Sequence, residues 1–305
     1  MKQLAIKASA DNLTLAATMI EPPAGARPKG IIQLVHGMCE HKERYYGFMR
    51  WLSERGFVCI IHDHRGHGAS VKSQRDLGYM YSGGWKAMVD DVKMVGDYAR
   101  AKYPSLPFIL LGHSMGSMAV RSYAKRYDDT INGLFVVGCP SDNPAKGAGK
   151  MLAKAFSMIL GPHYRPHLLQ ALSFGTYNKP FKAEGWKSAW VCSDPETLKA
   201  YHADPLCQFR FTANGFYNLM GLMQDCYSDR GWAMHNPSLP IHFISGGDDP
   251  CRIDDAALTR AADFLRRQGY SDVDVKIYPG MRHEVLNETA RDEVYKYILD
   301  HTGCI

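Results

Sequence analysis

The chain has 305 residues, 46% of them hydrophobic and 22% charged, which suits one large α/β domain with an insertion. Its formal charge of +5 is mild, and the lysines are dispersed without an aromatic-interleaved basic run, which argues against nucleic acid as a partner. There is no run of eighteen apolar residues, residues 1–10 alternate like a strand, and the eight cysteines lack C-x-x-C or short Cys/His spacing; the expectation is reduced thiols, a cytoplasmic location and no bound metal.

In chain order, apolar patterning predicts strands at 4–8 and 13–20, an antiparallel edge joined by a short turn. A third strand at 31–35 leaves into His36-Gly-Met-Cys-Glu-His41, and a helix spans 44–55. The strand at 58–63 ends in His62-Asp63-His64. In the context Asp63-His-Arg-Gly-His-Gly this reads as a structural turn rather than a metal site. A helix at 85–102, a strand at 108–111, a helix at 115–126 and a strand at 134–137 follow. After a long interval come a strand at 241–245, a helix at 254–268, a strand at 273–278 and a helix at 288–300. Apolar strands alternating with amphipathic helices imply a mostly parallel sheet covered on both faces.

The segment Phe108-Ile-Leu-Leu-Gly-His-Ser-Met-Gly116 runs a buried strand straight into Gly-x-Ser-x-Gly and a helix. In that context the pattern is a nucleophile elbow with Ser114 at its tip. Gly112 and Gly116 flank it because side chains there would collide. The bland alternative is a Gly-rich turn holding an exposed serine. An elbow calls for an acid and then a histidine, each at the end of a later strand. Gly247-Asp248-Asp249-Pro250 follows one strand and Pro279-Gly-Met-Arg-His283 the next. His283 is the candidate general base, and Asp249, preferred over Asp248, the residue that orients it. Asp254 and Asp255 read as caps of the next helix. The backbone N–H groups of Met38 and Met115 are the candidate oxyanion donors.

Four stretches together carry a resemblance: His36-Gly-Met-Cys-Glu-His41, Asp63-His-Arg-Gly-His-Gly-Ala-Ser70, Gly112-His-Ser-Met-Gly116 and Gly280-Met-Arg-His-Glu-Val-Leu-Asn-Glu288. On these the chain resembles the monoacylglycerol lipase and lysophospholipase branch of the α/β-hydrolase superfamily. The resemblance implies a serine hydrolase of acyl monoesters with no metal or organic cofactor, and a cap over the site. Residues 1–139 and 236–305 would form the α/β-hydrolase body, and 140–235 a mainly helical cap. Small-ester esterases, amidases or peptidases, acyltransferases and a non-catalytic ligand-binding protein share the fold. Cys39 and Cys251 depart from the pattern, standing where a small residue and Val are frequent. They place thiols near the site, with sensitivity to bulky thiol reagents as one reading and inert burial as the other.

Within 140–235 no strand is convincing, and Met, Phe, Trp and Tyr are frequent. Leu152, Ala155, Phe156 and Ile159 fall at helical spacing beside Lys146, Lys150 and Lys154. Such a helix either rests transiently on a membrane surface or packs its apolar face on the body with solvated lysines. Phe209, Phe211, Phe216, Tyr217 and Trp232 either line an acyl tunnel or form a local core. The partner expected is a small-molecule or lipid ester; acyl length, head group and oligomeric state are not legible.

Overall fold

The computed structural model describes residues 1–302. Among these, eight strands form one sheet: β1 (Lys2–Lys7), β2 (Thr14–Ile20), β3 (Gly30–Val35), β4 (Phe57–His62), β5 (Phe108–His113), β6 (Gly133–Val137), β7 (Ile241–Gly246) and β8 (Val273–Tyr278). Their spatial order is β1-β2-β4-β3-β5-β6-β7-β8. The pairs β1–β2 and β2–β4 are antiparallel, and every later pair is parallel. This is the α/β-hydrolase fold, with the antiparallel edge where the first two strands were expected.

The helices are α1 (Tyr46–Ser53), α2 (Gly84–Lys102), α3 (Met115–Tyr127), α4 (Lys146–Leu160), α5 (His167–Phe174), α6 (Pro195–Ala203), α7 (Ala213–Cys226), α8 (Asp255–Gln268) and α9 (Arg291–Thr302). Side chains alternate across a strand, so Ile32 and Leu34 meet Phe48, Leu52 and Ile298 of α1 and α9. Ile31 and Val35 join the core of α2, α3 and α8 on the other face. Every residue of β3 to β7 is consequently buried.

The expected boundaries fall within about two residues of the observed ones, apart from one. The last helix begins at Arg291 rather than 288, because Glu288 serves the preceding loop: its Oε1 accepts from Arg282 N (2.8 Å) and Ser193 N (2.9 Å). Between β6 and β7 the described residues form helices and short turns without a strand, and α7 packs on α2, α3 and α4. Phe211 and Phe216 are fully buried here. Trp232 packs edge-on against Phe264 and Tyr270, and Tyr217 joins the same core. Four of the five aromatics left open by the sequence are thus structural.

The turn after β4 is built on Asp63, fully buried, which accepts from Lys42 N (2.8 Å), Lys42 Nζ (2.8 Å) and Ala69 N (2.9 Å). Around it His36, His62, His64 and His67 form a buried ring cluster, His36 and His64 lying 4.4 Å apart by centroid. His64 N donates to His36 Nε2 (2.9 Å), and His36 O accepts from His64 Nε2 (3.0 Å). Both nitrogens of His62, Nδ1 of His64 and Nε2 of His67 have no partner among the described residues.

Burial pushes all four histidines below their ordinary range, His62 to about 3 and His67 to about 4. The folded chain holds them neutral, whereas the unfolded chain protonates them near pH ~6.5. Their contribution to stability is present above that pH and is lost as the pH falls toward 4. Asp91, raised by burial to about 6, and Asp63, His41 and His113, also raised, act in the opposite sense. Glu40, Glu43 and Asp225, held low by their cationic partners, act with the four histidines. The melting temperature should therefore fall steadily from pH 6.5 to 4.5; a flat or rising profile in calorimetry would sink this reading.

Candidate active site

β5 ends at His113 and α3 begins at Met115, so Ser114 alone makes the turn between them. Its backbone sits at φ 53°, ψ −117°, a region that costs a residue bearing a Cβ about 1–3 kcal/mol. Neighbouring groups hold it there. Ser114 N donates to Val137 O on β6 (2.9 Å), and Ser114 O accepts from Ser117 N (2.9 Å) and Ser117 Oγ (2.6 Å). A Cβ on Gly112 would strike Gly116 O and, at 2.7 Å, Val120 Cγ2. One on Gly116 would strike the carbonyls of Val35 and His36 at the end of β3. Both glycines are therefore steric necessities of the turn.

At the ends of β7 and β8 the structure brings Asp249 and His283 together. His283 Nδ1 lies 2.9 Å from Asp249 Oδ2, and both residues are buried. Asp249 is itself fixed, since its Oδ1 accepts from Cys251 N (2.8 Å). Asp248 is exposed and takes no part, whereas Asp254 caps α8 by accepting from Ala257 N (2.6 Å). The histidine loop is also tied to the insertion. Glu284 N donates to Val191 O (2.8 Å), and Arg282 Nη1 donates to Ala189 O (2.7 Å) and Glu184 (2.9 Å). Trp190 packs 5.1 Å from the His283 ring.

Met38 and Met115 line the same cavity as Ser114 and His283. Met115 is the first residue of α3, where a backbone N–H has no acceptor within the helix. The loop bearing Met38 depends on a residue for which the sequence offered no role. Glu40 is buried and accepts from Gly37 N, Tyr45 Oη (2.9 Å), His113 Nδ1 (3.0 Å) and Arg44 Nη1 (3.0 Å). Burial alone would raise its carboxyl, but His113 and Arg44 outweigh it and hold Glu40 below the usual carboxylate range. Burial likewise opposes charge on His113, yet Glu40 draws it upward. His113 Nε2 lies 3.2 Å from His283 O. A single buried ion pair thus spans from the Met38 loop to the His283 loop. Arg44 makes a second bridge, pairing with Glu284 as well as Glu40. The sequence signal was weak, because Glu40 and Arg44 stand in the polar run Glu40-His41-Lys42-Glu43-Arg44, which reads as a solvated loop.

The cavity measures ≈ 630 Å³. Its walls include Phe174, Tyr177, Trp190, Phe209, Leu219 and Met223, so Phe209 is the one aromatic of the five that lines it. Phe174, Tyr177 and Trp190 escaped the sequence reading because their segments carry no motif. Cys39 and Cys251 also reach the cavity, with Cys251 Sγ 3.9 Å from His283 Nε2. Burial pushes both thiols up, so little thiolate exists at neutral pH.

The comparisons agree with this architecture. Residues 26–290 match the family model described as serine aminopeptidase, S33. The chain belongs to this family. It is 31% identical over 282 residues to a monoacylglycerol lipase from Mycolicibacterium smegmatis, covering 90% of this chain and 89% of that one. A shorter match, 38% over 105 residues and about a third of each chain, is to human monoglyceride lipase. Among solved structures, a thermostable carboxyl esterase from Bacillus coagulans in complex with glycerol superposes with a TM-score of 0.91 and 26% identity, over 100% of this chain and 98% of that one. A soluble variant of monoglyceride lipase from Saccharomyces cerevisiae shares the fold at a TM-score of 0.73 and 18% identity, over 97% of this chain and 92% of that one. Within the α/β-hydrolases the chain sits in the monoacylglycerol lipase branch.

Two outcomes follow from the site's geometry. Glu40→Gln should lower kcat/KM by about ten- to a hundredfold through misplacement of the Met38 loop, with KM for a short soluble ester little changed; wild-type kcat would exclude this role. A bulky maleimide should inactivate the protein slowly at pH 7 and faster as the pH rises, and Cys39→Ser/Cys251→Ser should resist. Rapid inactivation at pH 7, or equal loss in the double variant, would contradict the burial argument.

Proposed function

We propose that the protein is a serine hydrolase of long-chain acyl monoesters, of the monoacylglycerol or lysophospholipid type. The observation that carries this reading is the convergence of Ser114 and the His283–Asp249 pair on one cavity with aromatic and aliphatic walls. Ser114 Oγ attacks the ester carbonyl while His283 Nε2 takes its proton. The oxyanion is held by the N–H groups of Met38 and Met115. The alcohol departs with the proton from His283, leaving Ser114 acylated; water, deprotonated by the same nitrogen, then releases the fatty acid. Asp249 keeps the Nδ1 proton in place and stabilises the charged ring. No metal or organic cofactor enters these steps.

The family description raises an aminopeptidase as the rival. An aminopeptidase needs a free carboxylate to receive the substrate's ammonium group. Among the described residues lining the cavity the acids are Glu40 and Glu284, and both are paired with Arg44. That favours an uncharged acyl substrate.

The insertion, which we take to be a cap over residues 140–235, supplies the route for lipid. On α4 and α5, Met158, Ile159 and Leu172 are 76%, 79% and 70% exposed, with Lys154 exposed among them. The opposite face of α5 gives Gln170, Ser173 and Phe174 to the cavity. One short helix thus joins an outward apolar patch to the cavity wall, which suits transient contact with an anionic lipid surface. No helix among the described residues is long and apolar enough to cross a membrane.

Hydrolysis of p-nitrophenyl esters from acetate to palmitate tests the assignment. The optimum should lie at eight carbons or more, and Ser114→Ala should retain less than about a thousandth of wild-type activity. A preference for acetate, or cleavage of aminoacyl anilides, would overturn it. Met158→Asp/Ile159→Asp should reduce co-sedimentation with vesicles of phosphatidylglycerol and slow hydrolysis of emulsified monoolein several-fold, while butyrate hydrolysis stays unchanged. Equal vesicle binding by the variant would remove the lipid-surface role.

A further inference from the structure

His41, Asp204 and Cys207 form a cluster that the proposed hydrolysis does not use, with Cys207 also reaching the wall of the main cavity. His41 follows the loop that carries Met38, while Asp204 and Cys207 lie just beyond α6 in the insertion. Their donor atoms all lie within 4.8 Å of one another. His41 Nε2 is 2.7 Å from Asp204 Oδ2, and its other nitrogen, Nδ1, is held by the Glu43 carboxylate. His41 and Cys207 are buried and Asp204 is partly exposed. Asp204 also borders a separate opening of ≈ 220 Å³ with Arg44, Thr197, Ala200, Tyr201 and Asn287. The neighbouring cations are already committed: Lys42 to Asp63 and Glu43, Arg44 to Glu40 and Glu284.

We propose that His41 Nε2, Asp204 and Cys207 Sγ bind a zinc-class divalent ion that clamps the oxyanion loop to the insertion. One nitrogen, one carboxylate oxygen and one thiolate are the mixed donor set that suits tetrahedral zinc, and Asp204, partly exposed beside the 220 Å³ opening, marks the side from which a water would complete the four. A carboxylate on the far nitrogen of a ligating histidine is the usual outer support of such a site, and Glu43 provides it. Donors on one tetrahedral zinc stand roughly 3.3–3.6 Å apart. The His41–Asp204 pair must therefore open by about 0.6–0.9 Å, and Cys207 must close by no more than about 1.5 Å. Binding replaces the His41–Asp204 hydrogen bond and releases the Nε2 proton and the Cys207 thiol proton to solvent; no electron moves. The donors come from positions 41, 204 and 207, which is why short Cys/His spacing gave no sign of them.

The test uses the full-length protein with CoCl2 and ZnCl2. Cobalt should bind and show a thiolate-to-metal charge-transfer band. Zinc should quench that band and raise the melting temperature by roughly 5 °C at a hundredfold excess over its Kd. Cys207→Ser should lose the band, and both Cys207→Ser and Asp204→Asn should lose most of the thermal shift. Cys251→Ser should keep both, which separates this site from the Asp249–Cys251–His283 cluster. His242, Asp274 and His301 also gather, but without a thiol they give no such band. Absence of a band in the wild type, or a band that survives Cys207→Ser, overturns the proposal. Should Cys207→Ser fail to fold, Asp204→Asn carries the same decision through the thermal shift.

Discussion

The whole site hangs on a steric constraint at the crossing of α3 over the end of β3. Gly116 presses so closely on the carbonyls of Val35 and His36 that no Cβ fits between them. That contact forces the strand-to-helix turn to be completed by one residue, which places Ser114 in its left-handed conformation. It also brings the first N–H of α3 beside the loop that leaves β3. Ser114 and the Met38 loop are thus positioned by the same packing event, and the sheet's parallel order carries Asp249 and His283 to the carboxyl ends of neighbouring strands.

Buried charge secures what packing leaves free. Glu40 and His113 hold opposite ends of the site, and Arg44 ties both carboxylates together. Such pairs contribute little net stability once desolvation is counted, but removing one partner strands the other. Their value here is geometric: they fix two loops, each without regular structure, to within a hydrogen bond of one another.

Much of this was legible in the sequence, for identifiable reasons. Strands buried on both faces appear as continuous apolar runs, so β3 to β7 were placed to within about two residues. The glycines, Ser114, Asp249 and His283 stand at strand ends, where spacing is informative, and the choice of Asp249 over Asp248 rested on one residue of register. What could not be read depends on contacts across long sequence separations. Glu40 meets His113 at a separation of 73 residues, and Arg44 meets Glu284 at 240. The start of α9 was misplaced because Glu288 answers to Arg282 and Ser193 rather than to helix propensity. Which aromatics face the cavity depends on how the insertion folds back, and no periodicity within it records that.

The segment between β6 and β7 has two mechanically different parts. Residues 184–193 are fastened to the histidine loop through Arg282, Glu284 and the Trp190–His283 contact, so displacing them would disturb His283 itself. α4 packs on α7 and α5 sends Leu169 into the main core, and both carry outward apolar side chains rather than bonds to the His283 loop. The outward side chains of α4 and α5 are therefore the ones whose exchange would change what the enzyme admits, provided Ala153 and Leu169 stay in the main core and α4 keeps its packing on α7. Exchanging residues 184–193 would instead release the contacts that hold the His283 loop.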